Sequence, residues 1–312
     1  MVSEKQKQDI VQLIEVERHR LGSDAKVATK CGVSPSLLSQ LKSNTYTAQG
    51  DDAWFKVGNA LGYCFNEQAW RVVDVANVRL VNTTLQTAKE RALFVGISDY
   101  AGSGKTTATK QYEMENKHAA VFRLECREWS RKAFLDKLMQ LFGLDITRYM
   151  SAEEKTDSIT DFVKSRASFK PLLVLDEADK LKHPALRLLI PLYNDCEGQL
   201  GVVICGTEHL EKDFARGVKH SWKGYDELSS RFGRRFIHLQ GCTEGDVASI
   251  CSANGVTAKA SIKSIFEQCN PVSSIMGNTQ VRIVKDLRRL RRSIEAELLR
   301  MAKQQPMEAV AA

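Results

Sequence analysis

The chain has 312 residues, of which 43% are hydrophobic and 27% charged, and this length allows one large core with one or two small domains. No apolar run approaches the roughly 20 residues of a membrane-spanning helix, and the polar N-terminus lacks a signal-peptide pattern, so we expect a cytoplasmic protein with no membrane partner. The eight cysteines form no C-x-x-C pair, which excludes the usual zinc spacing, while the net charge of +7 permits a polyanionic partner.

The first part of the chain, residues 1–68, is predicted to form short helices. Residues 27–42 fit a helix-turn-helix, because Gly32 stands at the turn and Leu38 and Leu41 can pack the second helix on the first. A helical bundle that does not bind DNA is the alternative. The exposed positions of the second helix suit phosphate and base-edge contacts; they are Ser36, Ser39, Gln40 and Lys42.

The middle part, residues 69–240, alternates short apolar runs with helical stretches after a helical connector. This rhythm predicts a parallel sheet, with strands at 92–97, 119–124, 172–175, 201–205 and 235–239. Helices are predicted between them, including 106–116 and 132–142. Residues 241–312 are predicted to be helical only, as a lid and a tail.

The strongest motif is the glycine-rich run of residues 99–106, which follows a predicted strand and opens a predicted helix. Glycines allow backbone N–H groups to point at phosphate oxygens, and the helix N-terminus adds partial positive charge. Lys105 is expected to reach the β- and γ-phosphates and Thr106 to ligate magnesium. The usual pattern begins with glycine, whereas this chain has Asp99, whose side chain should point away. The expected nucleotide contacts are Gly102, Ser103, Gly104, Lys105, Thr106 and Thr107.

A second motif is the apolar run of residues 172–175, which ends in Asp176 and Glu177 about 70 residues after the glycine-rich loop. Asp176 can hold the magnesium shell at the end of the strand. Glu177 can polarise the attacking water, which distinguishes hydrolysis from binding. The pair predicts an ATP hydrolase that needs Mg²⁺.

Two further positions refine the predicted site. Thr207 follows the run 201–205, a strand expected to lie between the strand before the glycine-rich loop and the acidic strand. There it can position the water or sense the γ-phosphate; an ordinary cap or turn residue is the alternative. Arg231 precedes the last predicted strand, where an arginine can reach a neighbouring subunit's ATP site as a finger. Arg234 and Arg235 are the other candidates for that finger, and a solvated basic turn is the alternative to all three.

These motifs resemble those of the AAA+ ATPases, whose fold is a P-loop α/β core with a helical lid. In that family a lid helix supplies a second sensing arginine, and the run 280–284 makes Arg282 the natural match. Rings or filaments of such proteins can hold DNA phosphates with core loops. The basic candidates in this core are Arg127, Arg131 and Lys132 near Trp129, then Lys180 and Lys182, and then the cations around Trp222; plain solvated surface is the alternative for each.

The domain order is similar to that of the MuB family of phage transposition ATPases, which is related to TnsC. The resemblance implies ATP-driven filaments on double-stranded DNA, largely without sequence preference, that deliver target DNA to a DDE-type transposase in a bacterial host cell. Where that family has a glycine and an asparagine, this chain has Asp99 and Thr207. A helicase loader, an insertion-sequence helper ATPase, or a nucleotide-switched helix-turn-helix regulator are the alternatives.

Overall fold

The computed structural model describes residues 2–46, 50–63, 65, 70–147, 149–277 and 279–304; most of the predicted tail lies outside these ranges. The helices are α1 (Glu4–Leu21), α2 (Asp24–Cys31), α3 (Pro35–Lys42), α4 (Asp52–Ala60), α5 (Ala76–Arg91), α6 (Lys105–Glu115), α7 (Arg131–Leu141), α8 (Ala152–Ser165), α9 (His183–Leu186), α10 (Leu189–Asp195), α11 (Glu208–Lys219), α12 (Tyr225–Arg231), α13 (Glu244–Ala253), α14 (Lys259–Gln268) and α15 (Leu287–Gln304). The strands are β1 (Phe94–Ser98), β2 (Val121–Glu125), β3 (Leu172–Asp176), β4 (Gly201–Gly206), β5 (Phe236–Ile237), β6 (Cys242–Thr243), β7 (Val272–Met276) and β8 (Thr279–Val284). Within the described part of the chain, no helix has both the length and the apolar character needed to cross a membrane.

The predicted helical hairpin near the N-terminus is present as α2 and α3. Gly32 ends α2 with φ of 64°, a left-handed conformation that glycine adopts without steric cost. The Ser34 side chain accepts a hydrogen bond from the Leu37 amide and so caps α3, with Pro35 in the first turn. Leu38 and Leu41 are fully buried, which holds α3 against the preceding helices.

The N-terminal helices pack directly on the sheet domain through the buried side chain of Arg20. Its Nη1 donates to the Val121 carbonyl of β2 at 2.5 Å and to Glu113 Oε1 of α6 at 3.1 Å. Its Nε donates to Glu17 Oε1 at 3.1 Å, and its guanidinium lies over the Phe122 ring at 4.7 Å. A buried cation therefore links α1 to both the edge strand and the helix that follows the glycine-rich loop.

The central sheet has five parallel strands in the order β2-β3-β4-β1-β5. All five strands predicted for the middle part are present within two residues of their expected ends. Their continuous apolar sequences reflect burial on both faces. In β3, Leu173 and Leu175 belong to the same apolar cluster as the N-terminal helices. Leu172 and Val174, on the other face of the sheet, belong to the cluster of α5, α6 and the C-terminal elements.

The prediction that residues after 241 are only helical is wrong. Strands β6, β8 and β7 form a three-stranded antiparallel sheet in that order, with α13 and α14 inserted between β6 and β7. The sequence of β8 is rich in β-branched residues, which favour a strand. Its Ile283 and Val284 are buried, so tertiary packing stabilises the hairpin.

Candidate nucleotide-binding site

The glycine-rich loop connects β1 to α6, as expected for a phosphate-binding loop. Gly102 and Gly104 have φ of 85° and 96°, which only glycine adopts readily. The Leu287 amide of α15 donates to the Gly102 carbonyl at 2.8 Å. A Cβ at Gly102 would lie 2.4 Å from Asp286 Oδ1, so this position requires glycine for close contact with the C-terminal elements as well as for its backbone conformation.

Lys105 begins α6 and its side chain folds against the loop. Its Nζ donates to the carbonyls of Asp99 and Tyr100 at 2.8 and 2.9 Å and to Ser103 Oγ at 3.0 Å. Burial lowers the pKa of the Lys105 ammonium from its usual range, and the nearby Asp99 carboxylate opposes that shift. The loop thus places a largely buried cation beside the N-terminus of α6.

Asp99, the departure from the usual glycine, makes its contacts with backbone amides outside the Gly102–Gly104 turn. Its Oδ1 accepts from the Tyr100 amide at 2.6 Å and its Oδ2 from the Leu239 amide at 2.5 Å. The side chain therefore fastens the start of the loop to the segment that follows β5. A carboxylate used in this way does not occupy the amides of the Gly102–Gly104 turn, of which that of Ser103 donates to the Tyr100 carbonyl at 3.3 Å.

Asp176 and Glu177 stand at the C-terminal end of β3. Asp176 is 1% exposed; its Oδ2 accepts from Arg123 Nη2 at 2.5 Å and its Oδ1 from the Glu177 amide at 3.0 Å. Glu177 has φ of 55°, and its Oε2 accepts from Lys180 Nζ at 2.5 Å. Both carboxylates lie at the strand end, with a cation beside each.

Thr207 follows β4, which lies between β1 and β3 as predicted. It caps α11 by accepting from the His209 amide at 3.3 Å, and its Oγ1 donates to Asp179 Oδ2 at 2.6 Å. The other oxygen of that carboxylate, Asp179 Oδ1, is buried and has no hydrogen-bond partner among the described residues. Thr207 is therefore both a helix cap and a polar group held by an acidic side chain.

One cavity of about 260 Å³ brings the predicted nucleotide residues together. The predicted residues that line it are Gly102, Ser103, Gly104, Lys105, Thr106, Thr107, Asp176, Glu177 and Thr207. The sequence motifs do not predict the rest of its wall, which comes from the connector before α5, from α5 itself and from the C-terminal elements. Those apolar residues are Trp70, Val72, Val73, Val75, Val78, Ile250, Leu287 and Leu290.

The connector is fixed to the loop by Asn77, a buried residue of α5. Its Nδ2 donates to the Ser103 carbonyl at 3.2 Å, and its Oδ1 accepts from the amides of Gln240 and Gly241 at 3.0 Å each. Trp70 lies under the Arg291 guanidinium at 5.1 Å. The valine-rich segment of residues 70–75, which begins with Trp70 and precedes α5, is the sequence signal that could have predicted this wall.

Two predicted nucleotide-site arginines lie outside the cavity. Arg282 belongs to strand β8 rather than to a lid helix, and its guanidinium pairs with Glu267 at 2.7 Å. Arg231 ends α12, where it pairs with Glu227 at 2.7 Å and donates to Asn194 Oδ1 at 2.7 Å. Arg288, on α15, lines the cavity instead.

The donor set suits a magnesium–nucleotide complex. The described residues include no group of three or more His, Cys, Asp or Glu side chains arranged to hold a metal alone. Mg²⁺ bound to nucleotide phosphates needs only one or two protein oxygens besides the phosphates and waters. Thr106 and Asp176 supply such oxygens on the cavity wall.

Several predicted DNA contacts lie on a second surface beside the site. The Lys182 amide donates to the Trp129 carbonyl at 3.4 Å, which joins the segment of Arg127, Arg131 and Lys132 to the start of α9. His183 contacts Trp222, which brings the turn between α11 and α12 to the same place. We call this the basic surface; its exposed cations are Arg127, Arg131, Lys132, Lys182, Lys219 and Lys223.

The other predicted DNA contacts differ in solvent exposure and in their ion pairs with other residues of the chain. Ser36, Ser39 and Gln40 are exposed on α3. Lys42 is half-buried, and its Nζ lies 2.7 Å from Glu15 Oε1 and 3.0 Å from Asp24 Oδ1. Lys180 pairs with Glu177, as described above. The cations with the fewest internal partners are therefore on the basic surface rather than on α3.

The sheet order, the phosphate-binding loop, the acidic strand end and the C-terminal elements over the cavity together define the AAA+ P-loop fold. A family model described as an AAA domain matches residues 91–214. The chain is similar to the solved structure of Cdc6p from Pyrobaculum aerophilum, at 14% identity and a TM-score of 0.51 over 77% of this chain; it spans 65% of that chain. That likeness concerns the fold.

A second similar structure is Drosophila ORC bound to AT-rich DNA and Cdc6, at 10% identity and a TM-score of 0.34, covering 80% of this chain and 100% of that chain. No curated protein matches the sequence. The family match covers the segment that contains the glycine-rich loop and the acidic strand end.

Proposed function

We propose that this chain is a magnesium-dependent ATPase whose nucleotide state controls its binding to DNA. The observation that carries the proposal is the single cavity lined by the glycine-rich loop, Asp176, Glu177 and Thr207. A protein that only binds nucleotide has no need of a water-polarising carboxylate, so Glu177 favours hydrolysis.

Each residue of the cavity has a distinct task in this proposal. The amides of the Gly102–Gly104 turn and the Lys105 ammonium bind the phosphates. Thr106 and Asp176 would hold a magnesium ion, which would neutralise charge that develops on the phosphates. Glu177 accepts a hydrogen bond from the attacking water and orients it, and Thr207 lies across from it at the end of the neighbouring strand.

Arg288 is the cation that we assign to sensing bound nucleotide from α15. Its Cβ lies 3.5 Å from the place that a Cβ on Gly102 would occupy, whereas Arg282 points to Glu267. Arg288→Ala is expected to weaken ATP affinity roughly tenfold or more, because a hydrogen bond to a charged group contributes about 1.5–3 kcal/mol. Arg282→Ala is the matched control and should leave ATP affinity nearly unchanged. Calorimetric titration with ATP measures both; equal effects in the two variants would remove Arg288 from this role.

The finer part of the proposal is self-assembly on double-stranded DNA and delivery of that DNA to a DDE-type transposase. Its support is the order of segments along the chain, with a helix-turn-helix before a P-loop core. Arg231 would act in trans in such an assembly, since it lies outside its own cavity. Negative-stain microscopy of the protein with duplex DNA, with and without ATP, tests assembly; absence of ATP-dependent assemblies on DNA would overturn this part.

A helicase loader or an insertion-sequence helper ATPase is the second candidate, because it would use the same core. The partner discriminates between the candidates. Stimulation of ATP turnover by a DDE-type transposase supports the first, and stimulation by a hexameric helicase supports the second. A helix-turn-helix regulator would instead show nucleotide-switched DNA binding without turnover, which Glu177 disfavours.

DNA binding by the basic surface can be tested by its salt dependence. Arg131→Ala combined with Lys132→Ala is expected to flatten the plot of log affinity against log salt by roughly 0.9 for each phosphate that these side chains neutralise. All DNA sequences should weaken alike, because phosphate contacts carry no base information. The control is Lys259→Ala with Lys263→Ala, two exposed lysines of α14. An unchanged slope in the first variant would exclude these two residues from the DNA interface.

A further inference from the structure

Trp222 carries an exposed indole, and the turn that holds it is fixed by backbone hydrogen bonds. It lies between α11 and α12, and 37% of its surface is exposed. Its amide donates to the Gly217 carbonyl at 2.8 Å, and its carbonyl accepts from the Tyr225 amide at 3.1 Å. Gly217 is required there, because a Cβ would lie 2.2 Å from Tyr225 Cδ1. Ser221, just before the indole, has φ of 52°, a left-handed backbone conformation that is unfavourable for a residue other than glycine.

Two aromatic rings support the indole from the protein side. The ring centroids of His183 and Tyr225 lie 4.8 and 5.5 Å from that of Trp222, and both rings are nearly perpendicular to it, at 86° and 83°. His183 Nδ1 also forms a hydrogen bond with the Tyr225 hydroxyl. Perpendicular aromatic contacts of this kind are favourable. Trp222 is therefore anchored on one side while part of its surface faces solvent.

Exposed lysines flank this indole in the sequence and precede His183, which it contacts. Lys182, Lys219 and Lys223 are exposed neighbours in sequence or across the His183 contact, and none forms an ion pair within the described part of the chain. A rigid aromatic ring flanked in the sequence by unpaired lysines suits a partner that carries both anionic groups and flat apolar rings. Nucleic acid whose bases are unstacked has this combination, since lysines contact its backbone and aromatic side chains stack on its bases.

We propose that Trp222 stacks on an unpaired base while the basic surface holds the flanking phosphates, so that the protein prefers DNA containing unpaired nucleotides to fully paired duplex. This inference rests on the proposed DNA-binding function and adds a specificity residue to it. In a closed duplex the base faces are covered by their neighbours, and only the phosphate contacts would remain. The indole therefore accounts for the preference for unpaired nucleotides, and the cations of the basic surface account for the affinity that both kinds of DNA share.

The test compares two labelled DNAs of the same sequence, an intact duplex and one with a short single-stranded gap, by fluorescence anisotropy with the full chain and ATP. Wild-type protein should favour the gapped DNA by roughly tenfold, within the range for one base–aromatic stack. Trp222→Ala should lose this preference while its affinity for intact duplex changes little, and Trp222→Phe should keep most of it. Phe169→Ala, another exposed aromatic residue, is the control and should behave as wild type.

The possible failures are distinguishable. Equal affinity of the wild-type protein for the two DNAs, or an undiminished preference in a folded Trp222→Ala protein, would overturn the stacking role and leave the DNA-binding proposal in place. Failure of the wild-type protein to bind either DNA would overturn both proposals. Thermal unfolding of each variant, followed by circular dichroism, establishes that the variants are folded.

Discussion

Glu177→Gln is expected to bind ATP with nearly unchanged affinity while turnover falls by roughly 100-fold or more, the range for loss of a general base. The amide replaces the carboxylate at similar size, so the cavity and its phosphate-binding groups remain. Only the group that polarises water is removed. The measurement pairs calorimetric ATP binding with phosphate release under saturating ATP and magnesium.

Lys105→Ala is the comparison for that variant. It removes the ammonium that is held against the loop by three hydrogen bonds, and ATP binding itself should be abolished. The two variants therefore separate binding from hydrolysis. Turnover at the wild-type rate in the Glu177→Gln protein would remove Glu177 from the mechanism, and undiminished ATP affinity in Lys105→Ala would place the phosphates elsewhere.

Arg20→Met is expected to cause the largest loss of stability, roughly 3–5 kcal/mol, because it removes one partner of a buried ion pair and also the donor to Glu113 and to the Val121 carbonyl. Glu17 is 1% exposed, and it would keep only Lys30, at 2.8 Å. Burial raises the pKa of Glu17, but Arg20 and Lys30 outweigh it and hold this pKa below its ordinary value. Substitution of Arg20 removes one of the cations that lower the pKa of Glu17.

Urea unfolding monitored by circular dichroism measures the effect. The control is Arg18→Met on the same helix, whose pairing with Glu15 is half exposed and should contribute less than about 1 kcal/mol. If the two variants are destabilised equally, the buried network does not fasten the N-terminal helices to the sheet domain.

The same buried network decides how the helix-turn-helix can be tested. Removing residues 1–68 would uncover Phe122 and the edge strand β2, which pack in the same apolar cluster as the N-terminal helices. Such a truncation would weaken DNA binding and stability together, so the two effects could not be separated. Substitutions at the exposed Ser39 and Gln40 of α3 leave that cluster intact and report on DNA binding alone.

The phosphate-binding loop, the acidic end of β3 and the five parallel strands could be predicted from the sequence alone. Each depends on neighbours close in the chain: glycines in the turn before α6, and apolar runs that end in Asp176 or before Thr207. The position of β4 between β1 and β3 agrees with the expectation for the strand that precedes Thr207. Local chemistry was sufficient for these features.

Only the tertiary structure decided the rest of the nucleotide cavity and the surface beside it. The prediction for Arg282 depended on a helix, but packing of Ile283 and Val284 makes that segment a strand, and Arg288 lines the cavity instead. Trp70 and Arg291 are distant in the chain and meet only when the C-terminal elements fold over the connector. Contacts between remote segments leave no periodic pattern in the sequence, and their energy comes from burial that exists only once the chain is folded.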